Sequence, residues 1–380
     1  GDPEVAGMLN RDYVPVRVDC DRRPDIDDRY NLGGWPTTAF LTPSAQLLGG
    51  ITFVARDQMK QLLSQLKAGY TANRDRIAQE IASRDRKIRE VLASSLHGTV
   101  PLTIEIFRKT VRGIVATHDP LHGGFGQAPK FPLPGSLRVV LQAFQEIQGP
   151  DFQHVLAKTL DAMANRGLYD QERGGFFHYA VNDTWGSARF EKLADVNAHL
   201  IRLYLDASTV LGETKYLAKA VHALEWARTT LLDPERGVFF HSQAGDDDYY
   251  AASPELRARR PAPAVDRIVI IPSSAAMASA FLRAAQVTGA EERAAEALRG
   301  LDWILSRCVN DRGVAHYHDG EPRLFTLARD PIALASALLD AYEHSGRKPY
   351  LEAAESMMED LLRRFWSNGE KGIVDREVDA

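Results

Sequence analysis

A glycine-centred turn recurs five times along the 380-residue chain, each time after a helical pattern. The copies are His122-Gly123-Gly124-Phe125, Arg173-Gly174-Gly175-Phe176, Arg236-Gly237-Val238-Phe239, Arg312-Gly313-Val314-Ala315 and Lys371-Gly372-Ile373-Val374. Measured between Gly124, Gly175, Val238, Val314 and Ile373, the steps are 51, 63, 76 and 59 residues. Steps of this size suit a helical hairpin plus a loop rather than a tight solenoid repeat. An array of hairpins gathers short connections on one face and long loops on the other, so a site is expected among the glycine-marked loops.

Helices are expected at about 102–117, 135–148, 151–166, 189–211, 214–231, 273–288, 291–308, 331–345 and 349–366. The last carries one apolar stripe (Leu351, Ala354, Met358, Leu361, Leu362, Phe365) and a charged back, as an outer-wall helix should. Helices 273–288 and 331–342 are apolar nearly all round and read as inner helices. An inner ring wrapped by an outer ring is an α/α toroid. Six hairpins close such a ring, and nine helices leave it incomplete, so its flanks call for other protein subunits or further chain as cover. The glycine-marked loops collect at the N-terminal ends of the inner helices, where unpaired amides and the positive dipole end favour a saccharide or an anionic small molecule.

Residues 1–70 read differently. Val14–Val18 alternates like a strand, 39–41 and 51–54 are short β-prone runs, and Met59, Leu62, Leu63 and Leu66 mark an amphipathic helix. Residues 71–98 are charge-rich and read as a linker helix, leaving 99–380 for the toroid. The fold class expected is therefore mainly α, an incomplete (α/α)6 toroid preceded by a small α/β unit.

With 46 Lys plus Arg against 51 Asp plus Glu, the formal net charge is -5, and no basic stripe interleaved with aromatics appears. Nucleic acid is not an expected partner. No apolar run is long enough for a membrane span, and the first residues do not resemble a signal peptide, although a targeting segment could have been lost from a chain that lacks an initiating Met. Two distant cysteines, Cys20 and Cys308, support neither a disulfide framework nor a thiolate zinc site, and a cytoplasmic setting is the default. His316-Tyr317-His318 lacks a third metal ligand, and Asp246-Asp247-Asp248 lacks the spacing of a calcium loop. No metal and no cofactor are expected.

The segment Gly123-Gly124-Phe125-Gly126-Gln127-Ala128-Pro129-Lys130-Phe131-Pro132 resembles the family of thioredoxin-domain proteins that includes the spermatogenesis-associated thioredoxin-like protein. Further matching segments are Val18-Asp19 with Arg23-Pro24-Asp25-Ile26-Asp27, Gly33-Gly34-Trp35-Pro36 with Phe40-Leu41-Thr42-Pro43, Phe190-Glu191-Lys192 with Asn197-Ala198, and Ser242-Gln243 with Tyr249-Tyr250. The resemblance implies a partial thioredoxin-like domain, lacking the Cys-x-x-Cys unit, followed by a toroid of the kind found in sugar epimerases and glycosidases. It also implies a cis peptide at Pro36, where pattern alone favours trans.

Against the family pattern, Arg189 stands where relatives have His, Val196 where they have Asp, Ala244 where they have Asp, and Pro272-Ser273-Ser274 where they have Asp-Trp-Asn. Each change deletes a group that could titrate or hydrogen-bond, so a degenerate, non-catalytic binding or structural subunit of a larger assembly is expected. A rival reading is a carbohydrate-active enzyme of epimerase or glycosidase type, with catalytic candidates Glu191, Asp330, Asp246, His241 and His316. In that reading His178, Tyr179, Trp185, Arg189, Asn197 and His318 bind ligand. The structural alternative makes Glu191 and Lys192 a loop-pinning pair and Asp330 the N-cap of a helix opening at Pro331. A third reading is a fragment of a two-domain thiol-redox protein.

Overall fold

The computed structural model describes residues 2–95, 101 and 103–377, which divide into two units, Gly1–Pro101 and Leu102–Ala380.

In the first unit, α1 (Pro3–Asp12) is capped by the Asp2 carboxylate, which accepts from the Glu4 and Val5 amides. It is followed by α2 (Pro24–Tyr30), the antiparallel pair β1 (Thr38–Leu41) and β2 (Leu47–Ile51), and α3 (Arg56–Ser95). Buried Phe40 and Leu63 centre its core, and the Tyr13 hydroxyl donates to the Leu63 carbonyl at 2.6 Å. The amphipathic helix and the charged linker helix expected from sequence form one element, α3, interrupted at Asn73 (φ -128°, ψ 23°). The strand expected at Val14–Val18 is not formed. Val14 and Val16 are 90% and 76% exposed, because alternation marks a strand only where a neighbour supplies the ladder hydrogen bonds. The β-prone run at 51–54 is likewise displaced, since its ladder ends at Ile51.

The second unit is built from α-hairpins. Among the described residues its long helices are α4 (Ile104–Ala116), α5 (Pro134–Ile147), α6 (Pro150–Asn165), α7 (Ala194–Leu211) and α8 (Thr214–Thr230). Two single-turn helices follow, α9 (Asp247–Tyr250) and α10 (Pro254–Arg257), then α11 (Ile271–Thr288), α12 (Glu291–Arg307), α13 (Arg329–Ser345) and α14 (Lys348–Phe365). Helix α11 packs against both α7 and α13, and α7 packs against α5, so α5, α7, α11 and α13 form the inner row. Each is followed after two residues by its outer neighbour, through a residue of positive φ at Gln148, Gly212, Gly289 or Gly346.

Burial separates the two rows. On outer α14 the covered residues are Tyr350, Ala354, Met357, Leu361 and Phe365, a single stripe, with Leu362 left exposed. Inner α11 buries nearly every position of Ala275–Ala285. The helix expected to open at 189 begins only at Ala194, because Ala188–Arg189 and Lys192–Leu193 pair as short strands.

The recurring turns lie where outer helices hand over to inner ones. In each of the first three, an Asp closes a local ring: the carboxylates of Asp119, Asp170 and Asp233 accept the amides two and three residues on. Gly174 and Gly175 adopt φ of 78° and 82°. A Cβ on Gly174 would lie 2.3 Å from the His222 carbonyl oxygen of α8, and one on Gly175 would lie 2.7 Å from the Trp226 ring. The turn is thereby pressed against the following outer helix, which only glycine allows.

Candidate functional site

After each turn the chain passes through an equivalent mouth position. The amides of Phe177, Phe240, Ala315 and Val374 bond back to the carbonyls of Leu168, Leu231, Cys308 and Phe365 at 2.8–2.9 Å, which places His178, His241, His316 and Asp375 in corresponding places. The carbonyls of His241, His316 and Asp375 then accept the first amides of α7 and α11, Ala194 and Ile271, and the amide of Ala328, which immediately precedes α13. One unpaired amide at each of these three helix starts is thus satisfied by the next repeat. The three histidines belong to one structural series, which the sequence hides because His178 and His241 stand four residues after the first turn glycine and His316 only three after Gly313.

Two buried lysines fasten the loops. Lys130 donates to the Asp119 carboxylate and the Gly123 carbonyl, and Lys192 repeats this with Asp170 at 2.8 Å and the Gly174 carbonyl at 2.7 Å. Arg257, from α10, adds a two-pronged pair to Asp170 at 3.0 and 2.7 Å. Burial raises the Asp170 carboxyl, but the hydrogen bonds and charges of Arg257 and Lys192 outweigh it and bring it down to about 2. Burial dominates at Lys192, pulled down to about 8 against the attraction of Asp170. Sequence reasoning missed Arg257, which lies 87 residues from its partner.

The other expected site residues divide between scaffold and surface. Asp330 does not cap α13. It lies within the first turn, 0% exposed, and its Oδ1 pairs with His316 Nδ1 at 2.7 Å while Oδ2 is buried without a hydrogen bond. Burial raises its pKa, with His316 opposing. Asn197 is a backbone clamp rather than a ligand: Oδ1 accepts from the Phe176 amide at 2.7 Å, and Nδ2 donates to the Phe176 and Leu193 carbonyls. At the equivalent place in the next repeat, Ser274 Oγ accepts from the Phe239 amide at 3.0 Å, one of the three bonds that Asn197 makes. Trp185 is fully buried, with Nε1 donating to the Gly123 carbonyl, and belongs to the core. Asp246 caps α9 by accepting the Tyr249 amide.

His241 is buried, and His318 lies edge-on to Trp303 at 5.0 Å, its pKa lowered by burial and by Arg236. Five groups form an accessible cluster. Glu191, its side chain 43% exposed, stands 3.8 Å from His178 Nδ1. Tyr179 stacks on exposed Phe131 at 4.9 Å and sits across the ribbon from exposed Arg189. Glu191 and Asp330, both catalytic candidates from the sequence, are each matched with a different histidine.

In the first unit the Trp35–Pro36 bond is cis, as is Ala128–Pro129 in the second. Burial and then Asp21, Asp27 and Asp19 push the Cys20 thiol up to about 11, and burial pushes Cys308 up to about 12, so neither offers a thiolate near neutrality. Asp19, Cys20 and Asp21 lie within 4.8 Å of one another, without other candidate metal-holding groups of three among the described residues. No helix among the described residues is long and apolar enough to cross a membrane.

Hairpins in an inner and an outer row, with their loops at the inner N-termini, define the class: an incomplete (α/α)6 toroid, joined to a thioredoxin-like N-terminal region. Residues 1–89 match the family described as Thioredox_DsbH, a protein of unknown function, DUF255. Human Spermatogenesis-associated protein 20 is 26% identical over 282 residues, which are 68% of this chain and 34% of that protein. An uncharacterised Caenorhabditis elegans protein is 28% identical over 220 residues, 53% of this chain and 30% of its own length. The chain thus spans about a third of the length of these relatives. Among solved structures, a GH76 alpha-mannanase from Bacteroides thetaiotaomicron is similar at TM-score 0.53 with 12% identity, over 72% of this chain and 76% of that one. D-mannose isomerase is similar at TM-score 0.57 with 14% identity, over 73% and 76%. The resemblance read from the sequence and the expected fold are both borne out, and at these identities the structural likeness shows the fold alone.

Proposed function

We propose that the helical unit is a binding or structural component of a larger protein assembly, whose mouth receives a saccharide or anionic small molecule without turning it over. The observation that supports this reading is the commitment of the mouth's proton-carrying groups to the scaffold. Lys192 and Asp170 are locked together with Arg257, and His316 with Asp330 is withdrawn from solvent. A general acid or base must reach the proton that it transfers, and these groups cannot approach a ligand. Exposed Ile332 and Leu339, seven residues apart on inner helix α13, supply apolar surface for such an assembly to cover.

A second reading, a carbohydrate-active enzyme, is favoured by one observation, the accessible Glu191–His178 pair beside Phe131 and Tyr179. The fold neighbours include a mannanase and a mannose isomerase, which makes mannose the natural probe. Incubation with D-mannose and an α-linked mannobiose, followed by proton NMR, separates the two. Line broadening without new sugar resonances is expected. Epimerisation, isomerisation or hydrolysis that disappears in Glu191→Gln would overturn the non-catalytic reading.

A further inference from the structure

Behind the mouth, Asp195, His199, Arg202 and Asp206 follow one another along α7 at steps of 4, 3 and 4 residues and so share one face of the helix. Two ion pairs fix where that face points. Arg202 donates to both carboxylate oxygens of Asp340 on α13, at 2.5 and 3.1 Å. Helix α11 lies between α7 and α13 and packs against both, so this bond passes in front of α11, on the concave side of the inner row. Asp206 accepts from Arg283 of α11 at 2.7 Å on the same side. These pairs close the end of the concave space away from the mouth.

Toward the mouth, the same stripe is unsatisfied. Asp195 and His199 form no ion pair among the described residues, and Asp195 Oδ1 is buried without a hydrogen-bond partner. His199 is exposed, yet burial by surrounding protein lowers its pKa, opposed by Asp195 and assisted by Arg138 and Arg202. Exposure combined with desolvation is what a side chain lining a narrow concavity experiences. Arg138, exposed on α5, has no ion pair among the described residues.

We infer that this concave space, walled by Asp195, His199 and Arg138 above the Arg202–Asp340 strut, binds a polyhydroxylated monoanion, a sugar acid of monosaccharide size. The inference rests on the binding reading above and adds the charge and depth of the ligand. A guanidinium pairs in a fork with a carboxylate, and a buried carboxylate oxygen lacking a donor is satisfied by a hydroxyl. A neutral imidazole can donate to or accept from a second hydroxyl. A neutral sugar would leave Arg138 unmatched, and a compact polyanion would face Asp195. From Asp195 to Arg202 the helix rises about 10 Å, room for one sugar ring and its carboxylate.

Isothermal titration with D-glucuronate, D-glucose and inorganic phosphate tests this on the whole chain, with circular dichroism to confirm folding of each variant. Glucuronate is expected to bind at least about tenfold more tightly than glucose or phosphate. Arg138→Ala and His199→Ala are each expected to remove most of that preference. Arg299→Ala, which deletes an exposed guanidinium from outer helix α12, is expected to leave it unchanged and so controls for net charge. Equal binding of glucuronate and glucose, phosphate binding as tightly as glucuronate, or an Arg138→Ala variant that binds like the parent would overturn the inference while sparing the broader reading. No binding of any probe overturns both. Chemical conversion of a sugar, with the charge preference still lost in Arg138→Ala, overturns only the non-catalytic reading.

Discussion

Lys192 donates to Asp170 at 2.8 Å with both side chains about 1% exposed, so the residue expected to pin a loop bolts the two ends of the α6–α7 connection together. Replacing Lys192 by Met leaves the buried carboxylate with Arg257 and the two turn amides and removes the tie to the Gly174 carbonyl. Breaking a buried pair by deleting one partner costs about 3–5 kcal/mol. A loss of that order in urea-induced unfolding is expected; a change below about 1 kcal/mol would contradict the bolt.

The same pair sets an acid response. The folded-state value of Asp170, about 2, lies below its ordinary 3.8, so its contribution to stability is present above about pH 4 and is lost as pH falls toward 2. Linkage makes this roughly 2 kcal/mol. In Asp170→Asn the fall in stability between pH 4 and 2 should be shallower than in the parent, measured by thermal unfolding across that range.

Asp330 behaves with the opposite sign. Its folded-state pKa is raised, so it weakens the fold as pH climbs through the unfolded value of 3.8 and the proton must leave a buried site. Asp330→Asn keeps an acceptor for His316 without the charge. The variant should match or exceed the parent in stability at pH 7, whereas a loss above about 2 kcal/mol would show that the ionised form is needed.

Gly174→Ala is expected to cost more than Gly212→Ala. Both glycines have positive φ, 78° and 68°, but an added Cβ meets the His222 carbonyl at 2.3 Å in the first case and nothing within 4 Å in the second. The left-handed penalty alone is about 1–2 kcal/mol. Gly212→Ala should show that much in chemical denaturation and Gly174→Ala clearly more.

Alkylation separates the two thiols. Cys20 is held near 11, so its reaction with iodoacetamide should rise about tenfold per unit from pH 7 to 10, as the thiolate fraction does. Buried Cys308 should react only after unfolding. Rapid modification of Cys20 at pH 7, read by mass spectrometry, would show a thiolate that its acidic neighbours ought to suppress.

The inner and outer rows could be read from residues because the signal is periodic. Ala275, Met277, Ala280, Phe281 and Ala284 leave α11 no polar face, and Tyr350, Ala354 and Leu361 leave α14 only one apolar one. Local chemistry also marked Lys192 as a pin. The partner Arg257 was not legible, because pairing across 87 residues leaves no local pattern. Asp330 before Pro331 carries the pattern of a helix cap, but in the fold His316 reaches its carboxylate first. Trp185 looked like a loop aromatic because nothing near it in sequence reveals that Gly123 and Gly124, more than sixty residues earlier, are its neighbours. The polar stripe Asp195–His199–Arg202–Asp206 was present at helical spacing, but only the placement of α7 in the inner row gives it meaning.

The carbonyls of His241, His316 and Asp375 each cover the start of the inner helix that precedes them, so the α7, α11 and α13 hairpins are each finished by the segment that follows. Overlapping like roof tiles, the repeats have a direction. Removal of 366–377 would uncover the Ala328 amide and loosen α13 before α11, and loss of order should therefore travel toward the N-terminus one hairpin at a time.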